Sequence, residues 1–196
     1  MGWSDAPPED DFAEDLYFVE GMLLISKYDF DAVWSSNLER ANRTAKFFAK
    51  LNKISNHIKS SELNEIDYGL LTNKRKKWAE KHFPKHKKDP DFVYPKGESF
   101  RQMQSRCVKF IEQQMVKDNN DCVLLVVHAG IIRGLICHYL QLPYSENLKR
   151  RIGHRYIGVL DIKKNGNITY DELGESSDFV SDNILSIPLK KRMSGS

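Results

Sequence analysis

A chain of 196 residues, 40% hydrophobic and 29% charged, has the length and balance of one soluble domain with a core of its own. A net charge of +3 does not by itself indicate a nucleic-acid binder, no apolar run approaches bilayer length, and the acidic opening "MGWSDAPPEDDFAED" has no signal-peptide pattern. Three scattered cysteines, Cys107, Cys122 and Cys137, form no CxxC pair and no even-numbered framework, which fits a reducing, cytoplasmic setting.

Pro7-Pro8 ahead of Glu9, Asp10 and Asp11 marks a helix start that should run to about Lys27. Proline suits the first turn, and carboxylates there favour the helix dipole. "FDAVWSS" (30–36) reads as a short buried strand. It passes into Ser36-Asn37-Leu38-Glu39, a serine with glutamate three residues on, which is the capping-box pattern. Ala41, Ala45, Phe48 and Leu51 then keep a helical period. Leu70–His82 reads as a helix that Pro84 ends. Ser99 and Gln102 fit a second capping box, ahead of Phe100, Met103, Cys107 and Phe110 at helical spacing. Val123–Val127 is the continuous apolar run of a strand covered on both faces, and a helix follows from about Gly130 to Leu140. "YIGVLDI" and "NITYD" flank "KKNG", whose Asn165-Gly166 predicts a hairpin turn. Helices alternating with short apolar strands predict an α/β fold with a mixed sheet. Residues 1–173 form the domain, and 174–196, with "GESS" and "RMSGS", a loosely held tail.

The basic residues are bunched: "KRKKWAEKHFPKHKK" (74–88) holds eight Lys/Arg and "KRR" (149–151) three more. They read either as a solvated face or as a positive rim that draws in small anions. His82 and His86 have i,i+4 spacing, but Pro84 between them argues against a zinc-binding helix. No GxSxG elbow and no phosphate-binding Walker loop occurs.

Chemistry concentrates at two places of one design, a buried strand turning into a helix start, where open α/β sheets place their ligands. Ser35, Ser36, Asn37 and Arg40 collect at the first; His128 and Gly130 at the second. Side by side they would offer helix N–H groups, a guanidinium and an imidazole, a set suited to a phosphoryl group. Taken singly, His128 could be a structural histidine and Arg40 a surface residue.

"SSNLERANRTA" (35–45), "ELNEIDYG" (62–69), "GES" (97–99) with Arg106, "VVHAGIIR" (126–133) and "GWSDAPP" (2–8) together resemble the motifs of the histidine phosphatase, or phosphoglycerate mutase-like, superfamily, in its order and spacing. The finer resemblance is to α-ribazole-phosphatase-like members. It implies a three-layer sandwich around a central, mostly parallel sheet, and a hydrolase of small phosphomonoesters. Within it Arg40 would clamp the phosphoryl group, His128 would stabilise its charge, and Glu65 would protonate the leaving alkoxide. Gly2, Asn37, Tyr68 and Gly130 would line the substrate site. No cofactor or metal is implied, and neither a nucleic acid nor a membrane as partner.

The family's nucleophile is a histidine in an Arg-His-Gly motif at the end of a central first strand, and it turns over through phosphohistidine. No Arg-His-Gly occurs in these 196 residues. The expectation is therefore a chain whose first strand is missing, inactive as it stands. A phosphate-binding pseudophosphatase and a phosphoglycerate-type mutase are the alternatives. Loss of a central strand should leave two sheet edges unpaired and open to self-association.

Overall fold

The computed structural model describes residues 2–3, 12–26, 28–86, 88–117, 120–163, 166–173 and 183–188. Two strands, β1 (Ala32–Ser36) and β3 (Cys122–Val127), are buried along their whole length, and their alternation sets the layers. Val33, Cys122, Leu124 and Val126 face α1 (Phe12–Ser26) and α2 (Glu39–Leu51) through Leu16, Val19, Leu23, Ala45 and Phe48. Ala32, Trp34, Val123, Leu125 and Val127 face α4 (Phe100–Lys117) and α5 (Ala129–Tyr139) through Met103, Cys107, Ile111, Ile131 and Leu135. With period two in each strand, neighbouring side chains point to opposite cores, and a continuous apolar run is the result. The three-layer α/β/α arrangement is as expected.

The sheet is completed by β2 (His57–Ser60), β4 (Ile157–Ile162), β5 (Ile168–Glu172) and β6 (Asn183–Pro188), in the order β2-β1-β3-β6-β4-β5. β1 is parallel to β2 and β3, and β4 to β6; β3/β6 and β4/β5 are antiparallel. The sheet is thus mixed, with parallel pairings in the majority.

The position of β6 corrects the sequence reading. Residues 183–188, assigned to a loose tail, run as an interior strand from Cys122↔Pro188 to Val127↔Asn183 along β3, and beside β4 at Ile157↔Ile184. β6 pairs with both β3 and β4, so neither of these strands is a sheet edge. Unpaired N–H and C=O groups on β3 and β4 need partners, and "NILSIP" has the apolar, branched composition of a strand. The Pro7–Asp11 helix start, Asn165 and residues 174–182 and 189–196 lie outside the described residues.

Smaller differences have local causes. Ser99 and Gln102 do form a reciprocal capping box, Gln102 N–H to Ser99 Oγ at 3.1 Å and Ser99 N–H to Gln102 Oε1 at 2.7 Å. Ser36 and Glu39 do not: the N-cap of α2 is Leu38, and Ser36 Oγ accepts the Leu38 N–H at 3.0 Å from outside the helix. The expected helix 70–82 divides into a 3-10 turn at Gly69–Leu71 and a short α3 (Lys76–His82). A further short helix, α6 (Tyr144–Lys149), follows α5. Between 74 and 88 every Lys and Arg whose side chain is described is exposed. Among the described residues no helix is long and apolar enough to cross a membrane.

Candidate active site

Because β1 and β3 are adjacent and parallel, with Ser35 opposite Val126, their carboxyl ends bring Ser36 and His128 together. His128 occupies the single position between β3 and α5 and is wholly buried. Its Nε2 lies 2.8 Å from Ser36 Oγ, whereas its Nδ1 is buried with no hydrogen-bond partner. Burial, and then the charges of Arg40 and Arg106, hold the imidazole well below the ordinary histidine range, so the ring is neutral. Ser35, one residue earlier, faces the other way and pairs through Oγ with His57 Nε2 at 2.9 Å.

Arg40 stands in the first turn of α2, where a cation opposes the helix dipole. Its side chain is buried, and Nη2 donates to the Gly2 carbonyl at 3.1 Å. Gly2 has φ +59°, and a Cβ there would fall 2.7 Å from Tyr68 Cδ2, so only glycine lets the chain pass this close. Trp3 Nε1 donates to the Glu65 carbonyl at 2.5 Å. Tyr68 packs edge-on against Tyr94 at 4.9 Å, and burial, then Glu65, pushes its hydroxyl far above the usual tyrosine range.

Glu65 lies in the loop after a 3-10 turn at Ser61–Leu63. One carboxylate oxygen accepts the Ile66 N–H at 2.9 Å, and the other accepts the Gly130 N–H at 3.1 Å, in the first turn of α5. A carboxylate on a helix N-terminus is electrostatically well placed. What fixes the loop is Arg106 of α4. Its guanidinium donates to the carbonyls of Ser61, Glu62, Asn64 and Glu65, and to both oxygens of Glu98 at 2.7 and 2.9 Å. Five donors in a rigid fork suit such a clamp, and a lysine could not reproduce it. Glu98 in turn takes the Asp67 N–H at 2.9 Å.

Six of the residues predicted from sequence, Gly2, Arg40, Glu65, Tyr68, His128 and Gly130, therefore join in one connected set of contacts. Asn37 is exposed, and its N–H donates to Asn64 Oδ1 at 2.9 Å. Both helix starts, expected to offer free N–H groups, already use donors internally, at Asn64 and at Glu65. Three residues escaped the sequence reading in their actual roles. Arg106 is visible only as part of a motif, Ser36 as a helix cap and as one of the polar residues at the first junction but not as the partner of His128, and Asn64 carries no signal of its own.

Residues 23–171 match the model of the histidine phosphatase superfamily, branch 1. The chain belongs to this superfamily. It is 27% identical over 181 residues to a phosphoglycerate mutase of Schizosaccharomyces pombe, covering 88% of this chain and 86% of that protein. Its fold is similar to that of the α-ribazole phosphatase from Shigella flexneri, with a TM-score of 0.69, 22% identity and coverage of 92% and 90%. It is also similar to that of a mycobacterial glucosyl-3-phosphoglycerate phosphatase solved with inorganic phosphate, with a TM-score of 0.69, 16% identity and 90% of each chain. For a histidine phosphatase the distribution of imidazoles is informative. His57 pairs with Ser35, His82 with the Trp78 carbonyl, His86 with Tyr94 and His154 with Asp15, while His138 stands edge-on to Tyr139. Among the described residues, His128 is the one imidazole in the Arg40–Glu65 site.

Proposed function

We propose that Arg40, His128 and Glu65 form the phosphoryl pocket of a small-phosphomonoester hydrolase, and that the 196-residue chain binds the phosphoryl group without turning it over. One observation supports both halves: a guanidinium, an imidazole and a carboxylate from three chain segments converge, and among the described residues a second imidazole does not join them. Arg40 would hold two phosphoryl oxygens in its fork. His128 would donate to a third once protonated. Glu65 stands where, once a further histidine supplies the attack, it would give a proton to the leaving alkoxide as the P–N bond forms and the P–O ester bond breaks. Forming phosphohistidine needs a histidine in line with that bond, and the family resemblance gives that role to a histidine other than His128.

Isothermal calorimetry with inorganic phosphate and with 3-phosphoglycerate, alongside p-nitrophenyl phosphate hydrolysis, tests this. Phosphate should bind, Arg40→Ala should weaken it at least about tenfold, as loss of a charge-assisted hydrogen bond does, and no p-nitrophenol should be released. Release abolished by His128→Ala would show that the chain itself hydrolyses phosphomonoesters. Absence of binding to any of these ligands would remove the phosphoryl-pocket reading.

A further inference from the structure

The wiring behind His128 fixes where its hydrogen sits. Asn64 Oδ1 receives the Asn37 N–H at 2.9 Å, and a backbone N–H can only donate, so the atom facing it is the amide oxygen. Ser36 Oγ lies 2.9 Å from that same oxygen. Oδ1 cannot donate, so the Ser36 hydroxyl spends its single hydrogen there. Toward every other neighbour Ser36 Oγ is then an acceptor: it takes the Leu38 N–H at 3.0 Å and stands 2.8 Å from His128 Nε2. Nε2 must donate. In a neutral imidazole this leaves Nδ1 as a bare lone pair, and Nδ1 is the buried ring nitrogen without a partner.

We propose that Ser36 and Asn64 are positioning residues that hold His128 with its hydrogen on Nε2, so that a tetrahedral oxyanion entering the pocket is bound together with one proton, taken up at Nδ1. The inference rests on the reading of this pocket as a phosphoryl site. An oxyanion can approach a bare lone pair only against repulsion. With a proton on Nδ1 the ring becomes an imidazolium with two donors, one to Ser36 and one to the ligand. Among the described residues, the charged groups that face His128 are Arg40 from α2 and Arg106 from α4, with Glu65 across the first turn of α5; β1 contributes only the neutral Ser36. Burial, and then the two cations, keep the imidazole neutral, and an incoming dianion offsets the cations. Since each ligand carries in one proton, affinity should fall about tenfold per pH unit wherever the free ring is neutral and the bound ring charged.

Sulfate is the probe, because it is a tetrahedral dianion with no titratable proton near neutrality. A long-range proton–nitrogen NMR spectrum of the ligand-free protein at about pH 7 should show His128 as the Nε2–H tautomer. Calorimetry with sodium sulfate in two buffers of different ionisation heat should then show about one proton taken up per sulfate bound. Asn64→Leu frees the Ser36 hydroxyl to donate to Nε2, which moves the ring hydrogen to Nδ1; sulfate should then bind with almost no proton uptake. A merely structural role for Asn64 would leave that stoichiometry unchanged. If Asn64→Leu does not fold, the wild-type spectrum and stoichiometry decide alone. An Nδ1–H tautomer in the free protein, or proton-free sulfate binding, would overturn the proposal while leaving the phosphoryl pocket standing. An Nε2–H ring in a protein that binds neither sulfate nor phosphate would overturn the coupling together with the reading beneath it.

Discussion

The two halves of the sheet are built differently and do different work. In β2-β1-β3 all strands are parallel, so their carboxyl ends open on one edge, and Ser36, Asn64, Glu65 and His128 meet there from separate stretches of chain. In β6-β4-β5 the directions are mixed, β4 running parallel to β6 but antiparallel to β5, and β6 runs antiparallel to β3, so the carboxyl ends do not share the edge that carries the site. Its main polar cluster serves structure: Glu172 accepts from Arg150, from the Tyr170 hydroxyl at 2.7 Å and from the Tyr156 hydroxyl at 3.3 Å, tying β5 to β4 and to the segment before it. Parallel pairing concentrates chemistry; the hairpin with its returning strand closes the core.

The strongest way to break this division is at the seam between the halves. Leu185 on β6 stands between Leu125 and Gly158, so Leu185→Pro strikes a strand paired on both sides, removing a ladder donor and setting a ring against its neighbours. Urea unfolding should show a loss of about 3 kcal/mol or more. Thr169→Pro on β5, which among the described residues is an edge strand paired with β4 alone, should cost less than half as much. Equal losses would mean that β6 does not hold the interior place.

Within the site-bearing half, Arg106→Leu should come next. The Arg106–Glu98 pair is mostly buried, each side chain 17% exposed, and removing one partner leaves a carboxylate and four carbonyls without their donor. The expected loss is about 3 kcal/mol, read as a fall in Tm of about 6–12 °C, with weaker phosphate binding because the Glu65 loop loses its clamp. Arg101→Leu, at a pair with Asp91 that is more than half exposed on both sides, should leave Tm within error.

The third effect is set by pH. A neutral buried imidazole has a folded-state affinity for protons below that of the unfolded chain, so unfolding takes up a proton below about pH 6.5. Stability contributed this way is complete above that pH and is lost as pH falls, at up to about 1.4 kcal/mol per pH unit. His57, also lowered by burial and by Lys46 and Lys59, adds a smaller slope of the same sign. Denaturation between pH 7 and 5 should therefore be less steep in His128→Gln, with the His57 part remaining.

What could be read from sequence follows the same line between halves. β1, β3, α4 and α5 announce themselves because strands buried on both faces are continuously apolar and helices repeat every three to four residues. β2, "HIKS", is short, half-buried and half-charged, and β6 is six residues within a polar tail; pairing, not pattern, makes them strands. In the site, charged and glycine residues could be named, but the neutral wiring could not. Ser36 satisfies a capping pattern by composition and is drawn away by Asn64, a partner 28 residues on that only the β1/β2 crossover brings near.

The finest test of the site compares two glycines on α5. A Cβ at Gly130 would fall 2.2 Å from Glu65 Oε1, a distance no neighbour tolerates, so Gly130→Ala must expel the carboxylate from its seat on the helix. At Gly134 the nearest atom is Met103 Cε at 3.4 Å, ordinary contact with the end of a flexible side chain. Alanine in a helix interior is favoured over glycine by about 0.8–1 kcal/mol, so Gly134→Ala should be neutral to slightly stabilising. Gly130→Ala gains the same propensity but loses a charge-assisted hydrogen bond of about 1.5–3 kcal/mol, a net loss of about 1 kcal/mol. Phosphate affinity should change at Gly130 alone. Two variants of equal stability and equal affinity would show that Glu65 is not held by the first turn of α5, and the edge where three segments meet would lose its carboxylate.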